Sequence, residues 1–260
     1  MSQNFDPNQN HYFYYKKESI PLVFIHGVGL DHQMWSEQVS YFNEFSILTY
    51  DLLGHGKTPC IKEKLSLKDF SNQLLVLLDH LKIKKINLIG FSLGSLIALD
   101  FSSRFQERLE KLILIGTTYK RSEHERSHVM DRYNQAKLNK PISKQALKRW
   151  FSDEYLENNP KTYDLFMNIL NKKPEDHKNF LKAYELFANH YDNFEDIKKI
   201  NRKTLVMTGS DDAGSTPKMS KELVKDLVNS SYIEIKNGKH LCSIECVDDV
   251  NINIKNFITN

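Results

Sequence analysis

The sequence predicts an α/β fold in which helices cover both faces of a mostly parallel central sheet, with a helical segment inserted between two parts of that sheet. Short apolar runs typical of buried strands recur along the chain, and helical patterns lie between them. One long stretch, residues 117–208, contains no glycine, and most of it shows no such strand. Because strands that alternate with helices form parallel sheets covered on both faces, these observations together predict the architecture.

Seven segments are predicted as strands. They are residues 11–18, 21–26, 45–50, 86–90, 111–115, 203–208 and 231–236. The first segment alternates only weakly between apolar and polar residues, so it is predicted as an edge strand. The others share the apolar character of strands that are buried in a sheet.

Four helices of the core follow from periodicity and capping residues. They cover residues 66–81, 93–104, 217–228 and roughly 246–258. Ser66 is a candidate N-cap, with Asp69 three residues later in the arrangement of a capping box. Thr216 is a candidate cap for the third helix, and Pro217 suits its first turn because proline lacks an N–H that would go unbonded there.

The glycine-free stretch predicts a helical lid, residues 118–200, inserted into one core that consists of residues 1–117 and 201–260. Helical patterns such as 136–150 and 179–190 are separated by prolines, and no convincing buried strand interrupts them. The inserted segment therefore breaks the alternation of strands and helices that holds elsewhere in the chain.

Composition excludes several functional classes. The 36 Lys and Arg residues against 33 Asp and Glu give a net charge of +3, and no basic run forms a stripe, which argues against nucleic-acid binding. The polar N-terminus and the short apolar runs predict a cytoplasmic protein with neither a signal peptide nor a membrane span. The odd number of cysteines predicts that Cys60, Cys242 and Cys246 are free thiols.

A G-x-S-x-G motif at residues 90–94 indicates a nucleophilic serine, Ser92. The predicted strand 86–90 leads into the motif, and the predicted helix 93–104 leads out of it. In this context the serine lies on a sharp turn with its hydroxyl exposed, and the flanking glycines let neighbouring backbone pass close by.

A serine hydroxyl needs a base that accepts its proton and an acid that orients that base. After a serine elbow the acid is expected next along the chain, followed by the histidine. Asp211 and Asp212 follow the predicted strand 203–208, and either could be the acid. His240 is the candidate base, because it lies in the loop before the last helix.

Two backbone N–H groups are expected to bind the negative oxygen of a tetrahedral intermediate. One belongs to Leu93, which follows the nucleophile, and the other to Val28 in the loop after the strand 21–26. His26, at the start of this loop, is predicted to brace it. His55 lies between two glycines and is predicted to be a turn residue.

Taken together, these motifs resemble the α/β-hydrolase superfamily. The matching segments are HGVG at 26–29, DLLGHGKTP at 51–59, GFSLG at 90–94, GSDDAGSTP at 209–217 and GKHL at 238–241. The resemblance implies the α/β-hydrolase fold and, from the family's G-x-x-D pattern, assigns the acid to Asp212. Within the superfamily the chain is most similar to the 3-oxoadipate enol-lactonase and carboxylesterase-like branch. In the lactonases of that branch a stretch like Arg149-Trp150-Phe151 contributes a tryptophan near the pocket.

The expected activity is hydrolysis of a small carboxylic ester or lactone through an acyl-enzyme intermediate, with no metal or organic cofactor. A small molecule is the expected partner, with neither nucleic acid nor membrane, and the oligomeric state stays open. Candidate pocket residues are Met34, Trp35, Trp150, Phe151 and Phe187, although residues of these types are more often part of the core. A C–C bond hydrolase, a cofactor-free perhydrolase and a non-catalytic ligand-binding protein of the same fold are the alternatives.

A second motif, H-E-x-x-H at residues 124–128, matches the pattern of zinc proteases. A catalytic zinc helix is buried on one side and needs a third ligand, whereas the flanks of this motif are polar and no third ligand follows at a suitable spacing. The motif therefore predicts a solvated helix, and a metalloprotease is the rival function that it leaves open.

Overall fold

The computed structural model describes residues 4–138 and 143–260. Its strands are β1 (Asn4–Phe5), β2 (His11–Tyr15), β3 (Leu22–Ile25), β4 (Ile47–Tyr50), β5 (Ile86–Phe91), β6 (Leu109–Ile115), β7 (Thr204–Gly209) and β8 (Ser230–Ile235). They form one sheet in the order β1-β2-β4-β3-β5-β6-β7-β8. The contacts of β1 with β2 and of β2 with β4 are antiparallel, and all the others are parallel. The predicted α/β fold is confirmed.

The helices of the core are α1 (Ser36–Tyr41), α2 (Leu67–His80), α3 (Leu93–Arg104), α10 (Pro217–Asp226), α11 (Cys242–Glu245) and α12 (Val247–Thr259). The predicted caps are confirmed, since Ser66 and Asp69 form a capping box and the Thr216 side chain accepts from the N–H of Met219. Both caps satisfy N–H groups that the first turn of a helix leaves without partners.

Successive residues of each central strand pack on opposite sides of the sheet. In β3, Val23 and Ile25 join the apolar cluster that contains residues of α2 and α3. Leu22 and Phe24 join the other cluster, which contains residues of α12. Because side chains of a strand alternate between its two faces, a continuous apolar run is what a sheet covered on both faces requires.

One expectation about the sheet is wrong. The segment beginning at His11 is not an edge strand, because β1 pairs with it on the outside. A two-residue strand has no periodicity, so the sequence carries no signal for it. The short helix α1 was also not predicted.

Between β6 and β7 the described residues form helices and no strand. These helices are α4 (Glu123–Lys137), α5 (Ser143–Trp150), α6 (Asp153–Asn158), α7 (Pro160–Leu170), α8 (Pro174–Asn189) and α9 (Phe194–Lys198). The predicted helical pattern 136–150 covers the end of α4 and all of α5, and its residues 139–142 lie outside the described part of the chain. The predicted pattern 179–190 falls almost entirely within α8.

None of the helices in the described ranges is both long and apolar enough to cross a bilayer. The predicted free thiols are confirmed, since Cys60, Cys242 and Cys246 form no disulfide.

Candidate active site

Ser92 lies on a sharp turn between β5 and α3, with a φ of 54° and a ψ of −115°. A positive φ is costly for a residue with a side chain, so the surrounding structure must hold the turn in place. A Cβ atom at Gly94 would lie 2.3 Å from the carbonyl oxygen of Ile25, and one at Gly90 would lie 2.4 Å from the carbonyl oxygen of Gly94. Gly94 is therefore required by the close packing of the turn against the end of β3, and Gly90 by its close approach to the first turn of α3.

His240 and Asp212 are in direct contact at the carboxyl ends of β7 and β8. The Nδ1 atom of His240 lies 2.7 Å from Oδ2 of Asp212. The other carboxylate oxygen of Asp212 accepts from the N–H groups of Gly214 and Ser215 at 2.8 and 2.9 Å. Since an ionised carboxylate only accepts, the shared proton belongs to Nδ1, and Nε2 of His240 is left as the basic atom.

Asp211, the other candidate acid, does not contact His240. Its side chain is exposed and accepts from the hydroxyl of Ser210. The two neighbouring aspartates differ in where their side chains point. The side chain of Asp212 is buried and contacts His240.

The histidine lies beside the serine turn. The ring of His240 packs against the ring of Phe91, the residue before Ser92, with centroids 4.8 Å apart. A Cβ at Gly116 would lie 3.4 Å from the His240 ring and 3.3 Å from the ring of Phe91. The structure therefore brings the three predicted residues, far apart in sequence, to one end of the sheet, where ligands bind in open α/β folds.

The loop that holds Val28 passes next to Ser92. A Cβ at Gly27 would lie 3.3 Å from the Cβ of Ser92. The N–H groups of Val28 and Leu93 donate to no protein acceptor in the two described ranges. Both predicted oxyanion donors are thus uncommitted and close to the serine turn.

Two buried histidines fix this loop. Nε2 of His26 accepts from the N–H of Leu52 at 2.9 Å, which confirms the bracing role predicted for His26. Nε2 of His55 accepts from the N–H of Gly29 at 3.0 Å, and its Nδ1 lies 3.1 Å from the carbonyl oxygen of Leu53. Both acceptor roles require neutral rings, and burial lowers the pKa of both histidines.

His55 does more than occupy the turn that the sequence predicts for it. It also joins the turn after β4 to the loop after β3. The N–H of Gly29, a residue with a φ of 80°, is occupied by this bond, so Val28 remains the candidate donor of this loop. The G-H-G pattern alone carries no signal for a contact with a residue 26 positions away.

One group of side chains could in principle hold a metal ion. Ligand atoms of His11, His32 and Asp51 lie within 4.8 Å of one another. The carboxylate of Asp51, however, already faces Nδ1 of both histidines at 2.7 Å and accepts from the N–H groups of His32 and Lys57. Although its burial disfavours the charged form, the hydrogen bonds from the two histidines hold the pKa of Asp51 well below its ordinary value. The group therefore acts as a hydrogen-bonded tie between β2, β4 and the loop after β3.

The predicted pocket residues do not share one location. Met34, Trp35 and Phe151 are fully buried in the cluster on the α12 side of the sheet, and Trp150 packs against that cluster. Phe187 belongs to the other cluster. Two of them are linked to the site: the carbonyl oxygen of Trp150 accepts from the N–H of Leu241, next to His240, and the ring of Trp35 lies against that of Phe91.

The H-E-x-x-H motif lies on α4, away from these residues in sequence and element. Both histidines are exposed, which confirms the predicted solvated helix. Glu125 accepts from the N–H and the hydroxyl of Ser122 in a capping box. Its carboxylate caps its own helix, which accounts for this residue without a general-base role.

A family model described as the alpha/beta hydrolase fold matches residues 20–245. The chain belongs to this family. The match extends from the strand that leads into the oxyanion loop to the residues just beyond His240, so it includes every residue of the candidate site.

Among relatives of this alpha/beta hydrolase, the (E)-2-((N-methylformamido)methylene)succinate hydrolase of Acinetobacter baylyi is 27% identical over 94% of this chain and 92% of its own. The 3-oxoadipate enol-lactonase 2 of the same organism is 24% identical over 86% of this chain and 83% of its own. The crystal structure of an enol-lactonase from Burkholderia xenovorans superposes with a TM-score of 0.88, at 24% identity over 97% of this chain and 98% of the other. The predicted resemblance to the lactonase branch is confirmed.

Two further polar groups of this hydrolase lie near the site. Thr117 and Thr118 follow Gly116, and their buried hydroxyls have no hydrogen-bond partner in the described part of the chain. Buried polar groups are seldom left unpaired, so these hydroxyls are candidate contacts for a bound ligand. Nothing in the local sequence distinguishes them from ordinary threonines after a strand.

Proposed function

We propose that this alpha/beta hydrolase cleaves a small carboxylic ester or lactone with Ser92, His240 and Asp212 as its catalytic triad. The observation that carries the proposal is the 2.7 Å contact between His240 Nδ1 and Asp212 Oδ2 beside the serine turn. This contact sets the tautomer of His240, and a base must be in that tautomer before it can accept a proton through Nε2.

In the proposed reaction Ser92 Oγ attacks the substrate carbonyl carbon while Nε2 of His240 takes the serine proton. The tetrahedral intermediate collapses, the bond to the leaving oxygen breaks, and His240 gives its proton to that oxygen. For a lactone the leaving group stays attached to the acyl chain. Water then attacks the acyl-enzyme, His240 accepts the water proton, and Ser92 regains it as the carboxylic acid leaves.

Asp212 is proposed to stabilise the imidazolium form of His240 between these proton transfers. Its Oδ1 is fixed by two backbone N–H groups, so the carboxylate does not need to reorganise when the charge appears. The N–H groups of Val28 and Leu93 are proposed to hold the negative oxygen of the intermediate. The reaction needs no cofactor in this scheme.

The lactone class is supported by an enol-lactonase that matches most of the chain. The hydrolase of an N-methylformamido methylene-succinate, which matches nearly all of it, supports hydrolysis of a small carboxylate compound. A pocket wall formed partly by Trp150 remains part of the proposal, because the backbone of this residue is bonded beside His240.

The test is a panel of p-nitrophenyl esters of increasing acyl length together with an enol-lactone. We expect turnover of at least one member by the wild type, and loss of about three or more orders of magnitude in kcat for Ser92→Ala. Ser103→Ala, on the same helix, is the matched control and should retain activity.

The same panel separates the alternatives. A C–C bond hydrolase would be inactive on the panel yet would cleave a 1,3-dicarbonyl substrate in a Ser92-dependent manner. A perhydrolase would form peracid when peroxide is supplied, and a non-catalytic binder would do neither. Ester cleavage that survives Ser92→Ala would refute the proposed nucleophile.

A further inference from the structure

The two histidines of α4 face each other across one turn of the helix. Nε2 of His124 lies 3.0 Å from Nε2 of His128, and the rings are nearly perpendicular, with centroids 4.3 Å apart. Both side chains are exposed to solvent. The proposed hydrolytic reaction uses neither of them.

The helix that carries the pair is fixed at its beginning. Ser122 and Glu125 close a capping box over the first turn. Arg126, between the two histidines, donates from Nε to the carbonyl oxygen of Arg121 and from Nη1 to the carbonyl oxygen of His190. Residues four apart are neighbours on a helix surface, so a rigid helix keeps the two rings in register and reduces the entropy lost when a ligand bridges them.

The separation of the two nitrogens suits a single metal ion. With metal–nitrogen distances of about 2.0–2.1 Å, atoms 3.0 Å apart subtend an angle of roughly 91–97° at the metal. That angle is close to the right angle between neighbouring ligands in tetragonal or octahedral complexes, which Cu²⁺ and Ni²⁺ accept. Tetrahedral Zn²⁺ would need the nitrogens about 0.3–0.4 Å further apart.

We propose that His124 and His128 chelate a late first-row divalent cation, Ni²⁺ or Cu²⁺, on the surface of α4. The remaining coordination positions are filled by water, because no third histidine, cysteine or carboxylate ligand atom lies close enough to complete a group with this pair among the described residues. This site differs from a zinc protease centre, since Glu125 is held in the helix cap. The bound ion ties two successive turns of α4 together.

Isothermal titration of untagged, chelator-treated protein with NiCl₂ tests the proposal. We expect one Ni²⁺ per chain in the wild type, and at least a roughly tenfold weaker affinity in both His124→Ala and His128→Ala. His80→Ala removes an exposed histidine from another helix and should bind as the wild type does. Because His124 and His128 are both exposed, their variants should fold, and circular dichroism checks this.

A second control addresses the buried group at Asp51. His32→Gln removes one ligand of that group and should leave Ni²⁺ binding unchanged. Cu²⁺ should give an electron paramagnetic resonance spectrum with two equivalent nitrogen couplings, which becomes a one-nitrogen spectrum in either α4 variant. The proposal is overturned if the wild type binds no Ni²⁺, if both α4 variants bind it equally well, or if binding is lost in His32→Gln instead. A wild type that binds no ion would show that the 3.0 Å contact is an N–H···N hydrogen bond between neutral rings.

Discussion

Replacing His55 with leucine should slow the proposed reaction without loosening substrate binding. The substitution removes the acceptor for the N–H of Gly29 and leaves that donor buried and unpaired. Gly29 follows Val28 directly, so any movement that lets the Gly29 N–H reach water also displaces the proposed oxyanion donor. His55 would therefore be a positioning residue, which acts on the reaction through the loop.

The magnitude follows from the cost of the unpaired group. A buried donor without a partner costs about 1–3 kcal/mol, and this is the free energy available to move the loop. If that amount appears as lost transition-state stabilisation, kcat falls roughly 5- to 150-fold, at 1.36 kcal/mol for each factor of ten. The upper value lies at the lower end of the loss of about 10²–10³ expected when an oxyanion donor is removed completely. KM should stay within about threefold, since the donor acts mainly in the transition state.

The assay measures kcat and KM on the best ester of the panel, with active sites counted by a fluorophosphonate that labels Ser92. This count corrects for any unfolded fraction, so a purely structural effect disappears from kcat. His55→Gln is the matched variant, because its side-chain oxygen can accept from Gly29, and it should recover part of the rate. The reasoning is refuted if His55→Leu retains the wild-type kcat per active site, or if KM rises while kcat stays unchanged.

Asp212→Asn should lower kcat about 10⁴-fold, because the wrong tautomer of His240 is then favoured. Asp211→Asn should keep a kcat near that of the wild type. Equal losses of kcat in the two variants, measured in steady-state assays, would contradict the assignment. The free energy of unfolding should decrease as the pH drops below about 6.5. Burial lowers the pKa of His26 and His55 in the folded chain, so these histidines take up protons in the unfolded chain at a higher pH than in the folded one. Urea unfolding at pH 7.5 and 5.5 measures this, and His55→Gln should show a shallower dependence; identical slopes would exclude His55 as a cause. Gly94→Ala should destabilise the fold by at least about 1–3 kcal/mol, because its Cβ would lie 2.3 Å from a carbonyl oxygen of β3. An unchanged melting temperature would show that the turn can move to make room for the methyl group.

Much of the fold could be predicted from local patterns. Apolar runs located the central strands, and the Ser66 and Thr216 caps located helix starts to the residue. These signals are local because capping and periodicity depend on residues within one or two turns of each other. The strand β1 and the short helix α1 are too short to show a period, and they were missed.

The candidate site divides in the same way. The motifs around Ser92 and His240 identified both residues, because the elbow and the last loop have recognisable local sequences. The direction of the Asp212 side chain, and the bond between His55 and Gly29, could not be predicted from neighbouring residues. The polar flanks of the rival motif at His124 predict a solvated helix, and the structure confirms it, with both histidines exposed and Glu125 in a helix cap.

The sequence by itself determined the fold class, the serine turn and the family resemblance, since each depends on short-range spacing. Only the tertiary structure showed that the Asp212 side chain points to His240, that His55 joins His26 in holding the Val28 loop, and what the paired histidines of α4 face. Those three outcomes depend on distances between side chains set by the packing of whole elements, and a local pattern contains no information about that packing.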